Sequence, residues 1–140
     1  ELFTRVFVKD ALKRQKLQKA LLELSEEGVI QLFIDPVIGA QDPVVGVVGE
    51  LQFEVLQHRL EDEYNLVTRL DRAAYTVARW PRLESGEPAP DISGATTVYR
   101  DKNDRPVVLL GSVWDVNWLQ KENEGVTFGS PFSEGVDEWT

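Results

Sequence analysis

Several residue types that carry chemistry are missing from this chain of 140 residues, or nearly so. It contains no cysteine and no methionine, and its one histidine is His58. Without cysteine there is no disulfide framework, thiolate metal site or cysteine nucleophile, and this composition is typical of a reducing, intracellular compartment. No run of about eighteen apolar residues occurs, so the sequence predicts no membrane-spanning helix.

Methionine is absent even at position 1, and the opening residues already alternate as a β-strand does. We therefore expect an N-terminal part of the protein to precede these residues. Hydrophobic residues make up 42% of the chain and charged residues 28%, which is ordinary for a globular domain with its own core.

The charge is unevenly distributed along the chain. The net charge is −9, yet residues 1–20 carry six basic and two acidic side chains, a net of +4 that leaves −13 for the rest. The basic cluster comprises Lys9, Lys13, Arg14, Lys16 and Lys19. Such a cluster is either a solvated helix face or a local surface for phosphate or an acidic protein.

The first half of the chain has the pattern βαββαβ. Apolar alternation predicts strands over 3–8, 29–34, 44–49 and 66–70, and helical periodicity predicts helices over 11–26 and 50–64. The glycine- and proline-rich residues 35–43 between the two middle strands read as a loop. Residues 1–72 are therefore predicted to form an α+β fold, a ferredoxin-like split βαβ sandwich with two helices on one face.

The helices have recognisable ends and core faces. Asp10 is suited to cap the first helix, and Gly28 and Asn65 are suited to end the two helices. Arg59 and Glu63 are spaced to form an ion pair along the second helix. The predicted core stripes are Leu17, Ala20, Leu21 and Leu24 on the first helix, and Phe53, Leu56, Leu60 and Tyr64 on the second.

Residues 73–140 are predicted to form a second, smaller α+β lobe. Its elements are a strand over 73–80 ended by Pro81, a mobile loop at 84–94, a hairpin over 97–110, a helix over 112–123, a strand over 126–128 and an acidic tail. We expect Val113, Val116, Leu119 and Gln120 to face inward on the helix. We also expect Trp80 to be packed and the helical pair Trp114 and Trp118 to be core, with a partner surface as the alternative.

The sequence has no recognisable catalytic constellation. His58 has no nucleophile in view, and we expect a surface histidine paired with Glu54. One histidine without cysteine does not predict a metal site, and no phosphate-loop motif occurs. The stretch VGVVGE, residues 45–50, resembles a glycine-rich cradle, but Glu50 stands where an anion would need positive potential. The fragment is therefore predicted not to be an enzyme.

Two stretches resemble a known family, LSEEGVIQLF at 24–33 and VVGVVGELQFEVLQHRLEDEYNL at 44–66. GELQFEV is similar to the G-E-L-H-L-E-I stretch in the third domain of elongation factor G. Glutamine and phenylalanine in place of histidine and leucine, with VKDALKRQKLQKAL at 8–21 and ARW at 78–80, resemble the release factor 3 family of translational GTPases. The residues that carry this motif are Gly46, Gly49, Glu50, Gln52, Phe53, Arg59 and Tyr64.

The resemblance implies a cytoplasmic protein of translation termination. Members of that family bind the ribosome and drive class I release factors off it, with GTP and magnesium held in an N-terminal domain. The present residues would be the C-terminal domain, which needs no cofactor of its own. The implied partners are ribosomal RNA and small-subunit protein, the protein's own GTPase domain and, indirectly, class I release factors. The basic cluster would then be part of the docking surface.

Two other interpretations stay open at this point. One is a ferredoxin-like regulatory module that binds a small molecule at the strand–loop–helix junction, residues 44–50. The other is an enzyme with acidic catalysis, which would require a pair of carboxyl groups with one raised pKa.

Overall fold

The computed structural model describes residues 2–37, 39–89, 91–95 and 97–129. The chain divides into two compact units, residues 1–74 and residues 75–140. Of the helices in these described ranges, none combines the length and the apolar character needed to cross a membrane.

The first unit is a four-stranded antiparallel sheet with two helices. Its elements are β1 (Leu2–Val8), a 3-10 turn (Ala11–Lys13), α1 (Arg14–Glu26), β2 (Gln31–Asp35), β3 (Gly39–Val47), α2 (Glu50–Tyr64) and β4 (Thr68–Arg72). The strand order is β4-β1-β3-β2, and Thr4 of β1 faces Val45 on one side and Arg72 on the other. The α+β class is confirmed, and this order is that of a split βαβ unit.

Local sequence accounts for where the helices begin and end. The Asp10 carboxylate accepts a hydrogen bond from the backbone N–H of Leu12 at 3.0 Å, while the N–H of Lys13 bonds the Asp10 carbonyl at 2.9 Å. This i to i+3 bond tightens the first turn into a 3-10 turn, so α1 begins at Arg14, three residues later than predicted. Gly28 with φ of +83° and Asn65 with φ of +54° end the two helices in the left-handed conformation.

The helices bury their apolar stripes against one face of the sheet. α1 contributes the predicted Leu17, Ala20, Leu21 and Leu24, α2 contributes Phe53, Leu56 and Leu60, and the sheet contributes Val6, Leu32, Val45 and Val47. Tyr64 is half-buried and packs at the edge of this cluster.

The predicted loop at 35–43 is wrong in its second half, because β3 already begins at Gly39. Asp35 pairs with Gly39 and Phe33 pairs with Val44, with an irregular register between them. Pro43 falls in that irregular stretch, and interruptions of this kind are where strands tolerate proline. Ile38 of the predicted loop lies outside the described residues.

The second unit contains β5 (Val77–Leu83), β6 (Tyr99–Arg100), β7 (Pro106–Leu110), α3 (Val113–Glu122) and β8 (Val126–Gly129). The strands pair antiparallel in the order β6-β7-β5-β8. A small core forms from Val108, Val116, Leu119 and Phe128. Trp80 is buried as predicted, and its indole N–H donates to the Asp101 carboxylate at 2.9 Å.

The prediction that Pro81 ends its strand is wrong, since β5 continues to Leu83. The carbonyl of Pro81 accepts from the N–H of Ala89 at 3.0 Å. In an antiparallel strand, the N–H and C=O of one residue point to the same side. The N–H that Pro81 lacks would therefore point toward Ala89 and not toward β8. The pairing of β5 with β8 therefore loses no hydrogen bond at this position.

Several of the described residues of 84–94 make specific contacts, and the mobility of this loop stays a prediction. The N–H of Leu83 bonds the Glu87 carbonyl at 2.8 Å, and Ala89 is buried. The Asn123 side chain accepts from the N–H of Ser93 at 2.7 Å and donates to its carbonyl at 2.9 Å. Sequence composition does not reveal the bonds between Ser93 and Asn123, which are thirty positions apart. Pro90 lies outside the described residues.

Helix α3 faces the core differently from the prediction. Val116 and Leu119 are buried as expected, whereas Val113 and Gln120 are exposed. Trp114 and Trp118 are 81% and 50% exposed, so the prediction that they are core is wrong. Val116 and Leu119 form the buried stripe of this ten-residue helix, and the two indoles lie outside that stripe. The acidic tail and Trp139 lie outside the described residues.

Phe53→Ala should destabilise the first unit by roughly 3–5 kcal/mol, because it removes a large buried side chain from the helix–sheet core. Urea unfolding of the chain measures the change. The matched control is Leu51→Ala on the same helix, which removes an exposed side chain and should change stability by less than about 0.5 kcal/mol. Equal stability of the two variants would contradict this placement of the helix face.

Asn123→Ala should cost about 1–3 kcal/mol, because it removes two hydrogen bonds to the N–H and carbonyl of Ser93, each worth about 0.5–1.5 kcal/mol. Asn103→Ala, at an exposed position, serves as control and should be nearly neutral. Hydrogen exchange at Ser93 gives the local measurement. Unchanged exchange and stability in Asn123→Ala would show that these bonds do not hold the loop, in agreement with the predicted mobility.

Candidate functional site

The basic cluster forms one exposed segment at the start of α1. Lys9, Lys13, Arg14, Lys16 and Lys19 are all exposed, and we refer to them as the basic segment. They occupy the positions of the turn and helix that the buried stripe does not use. Leu12 lies within the segment and is 91% exposed, so an apolar side chain is presented to solvent among the cations.

The positive charge of this segment is not neutralised locally. Among the described residues, the ion pairs involve side chains of α2, of β4 and of the second unit, together with Glu27 at the end of α1, and none involves a member of the basic segment. The nearest acidic residue in sequence, Asp10, directs its carboxylate to the backbone N–H of Leu12. Five cations within eleven residues therefore remain available to an external anion.

The glycines and polar residues of the family motif build the junction between β3 and α2. A side chain at Gly46 would lie 3.1 Å from the Phe3 ring and 3.3 Å from the Phe33 ring, so glycine lets these two aromatic side chains close over the strand. Beyond it, the Gln52 side chain accepts from the N–H of Val48 at 2.9 Å. Gly49 caps α2 in extended conformation with no side-chain hydrogen bond.

Glu50 and Phe53 share a partner that sequence reasoning missed. Arg72 of β4 forms an ion pair with the Glu50 carboxylate, and its guanidinium lies 4.9 Å from the centre of the Phe53 ring. The N-terminus of α2 therefore carries a paired carboxylate. Residues 44–50 are held by internal hydrogen bonds and this ion pair, and nothing in that geometry favours a small-molecule site there.

Arg59 and Tyr64 join the ends of the two helices. The Arg59 guanidinium donates to Glu63 at 2.6 and 2.8 Å and to Glu27 at 3.0 and 3.2 Å. The Tyr64 hydroxyl donates to the Glu23 carboxylate at 2.8 Å. The hydrogen bond to Glu23, with some burial, raises the pKa of Tyr64 to about 12. The hydrogen bond from Arg59 lowers the pKa of Glu63, so both motif residues have a structural role.

His58 is an exposed residue of α2, and its expected partner was wrong. Its Nε2 lies 2.9 Å from the Asp62 carboxylate, one turn later along the helix, instead of near Glu54 one turn earlier. Both spacings place the side chains on one helix face, so the sequence alone does not choose between them. The imidazole lies at the surface beside a single exposed carboxylate.

Sequence reasoning also missed the contacts that join separate elements. The spacing of Arg59 and Glu63 predicted their pair, but Glu27 is thirty-two positions away from Arg59 and carries no local signal. Arg72 with Glu50 and Tyr64 with Glu23 are similar cases. The only sequence signal for the exposed indoles was their helical spacing, which suits a core and a surface equally.

The described elements define an α+β domain that exposes the basic segment at the start of its first helix. A family model described as "Class II release factor RF3, C-terminal domain" matches residues 1–120. The chain therefore belongs to the peptide chain release factor 3 family, and the matched part is the family's C-terminal domain. The resemblance inferred from the motif is confirmed.

Curated relatives agree with the family model. The chain is 41% identical over 128 residues to peptide chain release factor 3 of Symbiobacterium thermophilum, covering 91% of the chain and 24% of that protein. It is 32% identical over 130 residues to peptide chain release factor 3 of Listeria welshimeri, covering 93% of the chain and 24% of that protein. For peptide chain release factor 3 of Nostoc punctiforme, identity is 38% over 122 residues, covering 85% of the chain and 22% of that protein. The chain thus spans about a quarter of the length of these relatives.

Arg59→Gln should let the pKa of Glu63 rise toward its ordinary value of 4.5, because the guanidinium is the main cause of the lowering. The folded pKa is depressed, so the stabilisation is present above about pH 4.5 and is lost as the pH falls through the folded value. The difference in unfolding free energy between wild type and Arg59→Gln should therefore be greatest near neutral pH and shrink in acid.

Nuclear magnetic resonance titration of the Glu63 carboxyl and urea unfolding at two pH values measure these effects. His58→Gln is the control, since it removes an exposed pair on the same helix and leaves Arg59 in place. A Glu63 pKa that does not move in Arg59→Gln would show that the guanidinium does not hold this carboxylate in solution.

Proposed function

We propose that this chain is the domain through which a cytoplasmic translation-termination GTPase docks onto the ribosome, with the basic segment meeting ribosomal RNA phosphate. The observation that carries the proposal is the run of five exposed cations without an acidic partner among the described residues. Membership of the release factor 3 family supplies the context.

The chemistry of the basic segment suits a backbone contact. Lysine and arginine side chains bind phosphate oxygens without reading bases, and such contacts fix position and orientation. Leu12, exposed among them, would add an apolar contact at the centre of the same surface. The remainder of the chain is acidic, so attraction to RNA would be confined to this segment and would orient the domain.

GTP hydrolysis by the whole factor would take place outside this chain. GTP and magnesium would be bound by a domain outside these residues, and hydrolysis there would accompany the dissociation of class I release factors. The family match is to the C-terminal domain, which supports a docking role for this chain and none in catalysis. The buried core between α1, α2 and the sheet would hold the basic segment rigidly. The segment and the rest of the first unit would then move together.

Charge reversal by Lys13→Glu with Lys16→Glu in the full-length factor should lower ribosome affinity and flatten its dependence on salt. Each phosphate contact that is lost lowers by about one the number of counterions released on binding, so affinity depends less steeply on salt concentration. Affinity is measured by ribosome co-sedimentation or fluorescence at several salt concentrations. Nucleotide binding by the full-length factor should be unchanged, and folding of the 140-residue chain should change by less than about 0.5 kcal/mol.

The matched control is Lys102→Glu with Lys121→Glu, which makes the same charge change at exposed positions of the second unit. This control should change ribosome affinity by no more than about twofold, because the proposed contact depends on where the lysines lie and not on the net charge of the chain. Unchanged binding in the Lys13 and Lys16 variant would mean that these lysines only keep the helix soluble. A shifted melting profile of the full-length factor alone would instead place them against the protein's own GTPase domain.

A further inference from the structure

The second unit contains a pocket that the docking role does not use. Its volume is about 360 Å³, near the lower end of the range for ligand sites, roughly 300–1,000 Å³. The side chains that matter for its chemistry are Tyr75, Tyr99, Asp115, Trp118 and Leu119. The pocket lies within the second unit, and its described lining comes from α3, β6, β7, residues shortly before β6 and Tyr75 before β5.

Backbone geometry holds the indole of Trp118 in place at this pocket. Gly94 has φ of +89°, and a side chain there would approach the Trp118 ring to 2.6 Å. Glycine therefore lets the chain lie directly against the ring while the other part of the indole stays half exposed. Trp114, one turn earlier and more exposed, is not among the residues that line the pocket.

The two tyrosines form a second aromatic wall. The rings of Tyr75 and Tyr99 meet edge to face with centroids 6.2 Å apart, and their hydroxyl oxygens are 3.3 Å apart. Tyr99 is buried and Tyr75 is half-buried. Leu119 and Val108 are buried beneath, so aromatic and aliphatic surface surrounds most of the space.

The charge of the pocket is negative. Asp115 is the charged residue among the described lining residues, and its exposed carboxylate accepts one hydrogen bond, from the Ser112 hydroxyl at 3.3 Å. The second unit has six basic and eleven acidic residues, a net charge of −5. Aromatic faces beside a carboxylate attract cations through the ring quadrupole and through direct charge.

We propose that this pocket binds an arginine side chain carried by an extended basic segment of a partner protein. A guanidinium is planar, stacks on aromatic faces and donates to a carboxylate in a fixed fork, which suits an indole and a carboxylate on the same helix. The site lies in the second unit and does not involve the basic segment, so it is independent of the proposed RNA contact.

The test titrates the 140-residue chain with the capped peptide Gly-Arg-Gly-Arg-Gly, followed by the indole N–H resonances. We expect saturable binding that shifts the Trp118 resonance and leaves the Trp114 resonance in place. The same peptide with citrulline in place of arginine keeps the shape and loses the charge, and it should bind at least about tenfold more weakly. Equal binding of the citrulline peptide would overturn the proposal.

Four variants locate the site. Asp115→Asn keeps the size of the side chain and should weaken binding at least about fivefold, and Trp118→Leu at least about tenfold. Glu122→Gln and Trp114→Leu make the same kinds of change at exposed positions of α3 outside the pocket, and each should stay within about twofold. If Trp118→Leu perturbs folding, Asp115→Asn still tests the site.

Two further results would overturn the proposal. Equal weakening by Asp115→Asn and Glu122→Gln would show diffuse attraction of a cation to an acidic surface. Binding of free arginine methyl ester as tightly as the peptide would show a site for a small cation in place of a protein segment.

Discussion

The one-sided burial of α1 and α2 against the sheet is the constraint on which the rest of the first unit depends. Leu17, Leu21 and Leu24 point inward from α1, and at helical periodicity this leaves the remaining positions to solvent. Lys16, just before this stripe, and Lys19, within it, are thereby exposed. The core that stabilises the fold and the basic surface that would bind RNA are two faces of one helix.

The same constraint explains why the family motif is structural. Gly46 lets two aromatic rings close over β3, and Gln52 ties the end of that strand to the start of α2. Arg59 and Tyr64 then fasten the far end of α2 to the last turns of α1. These contacts join α2 to β3 at one end and to the last turns of α1 at the other.

The two units use their surfaces in opposite ways. The first unit concentrates positive charge on an acidic chain, which favours a phosphate-bearing partner at one place. The second unit exposes indoles beside a carboxylate, a combination suited to a cationic side chain. The proposed contacts, one to RNA phosphate and one to an arginine side chain, would therefore use different units of the chain.

Local chemistry predicted much of the secondary structure. α2 has the predicted bounds, Asp10 and Asn65 cap as expected, and the core stripes of both long helices are confirmed apart from the half-buried Tyr64. These features depend on residues within a turn or two of each other. Predictions from the proline-rich and polar stretches were less successful, because β3 and β5 run through residues that look like turns.

The sequence by itself determined the periodic features of this protein: which helix faces are apolar, where glycine and asparagine end the helices, where the positive charge lies and to which family the motif belongs. Only the tertiary structure decided the partners of Arg72, Arg59 and Tyr64, the anchoring of Ser93 by Asn123, and the exposure of Trp114 and Trp118. The physical reason is that capping and periodicity act through neighbouring residues, whereas ion pairs between elements and the limits of a small core depend on which distant segments the fold brings together.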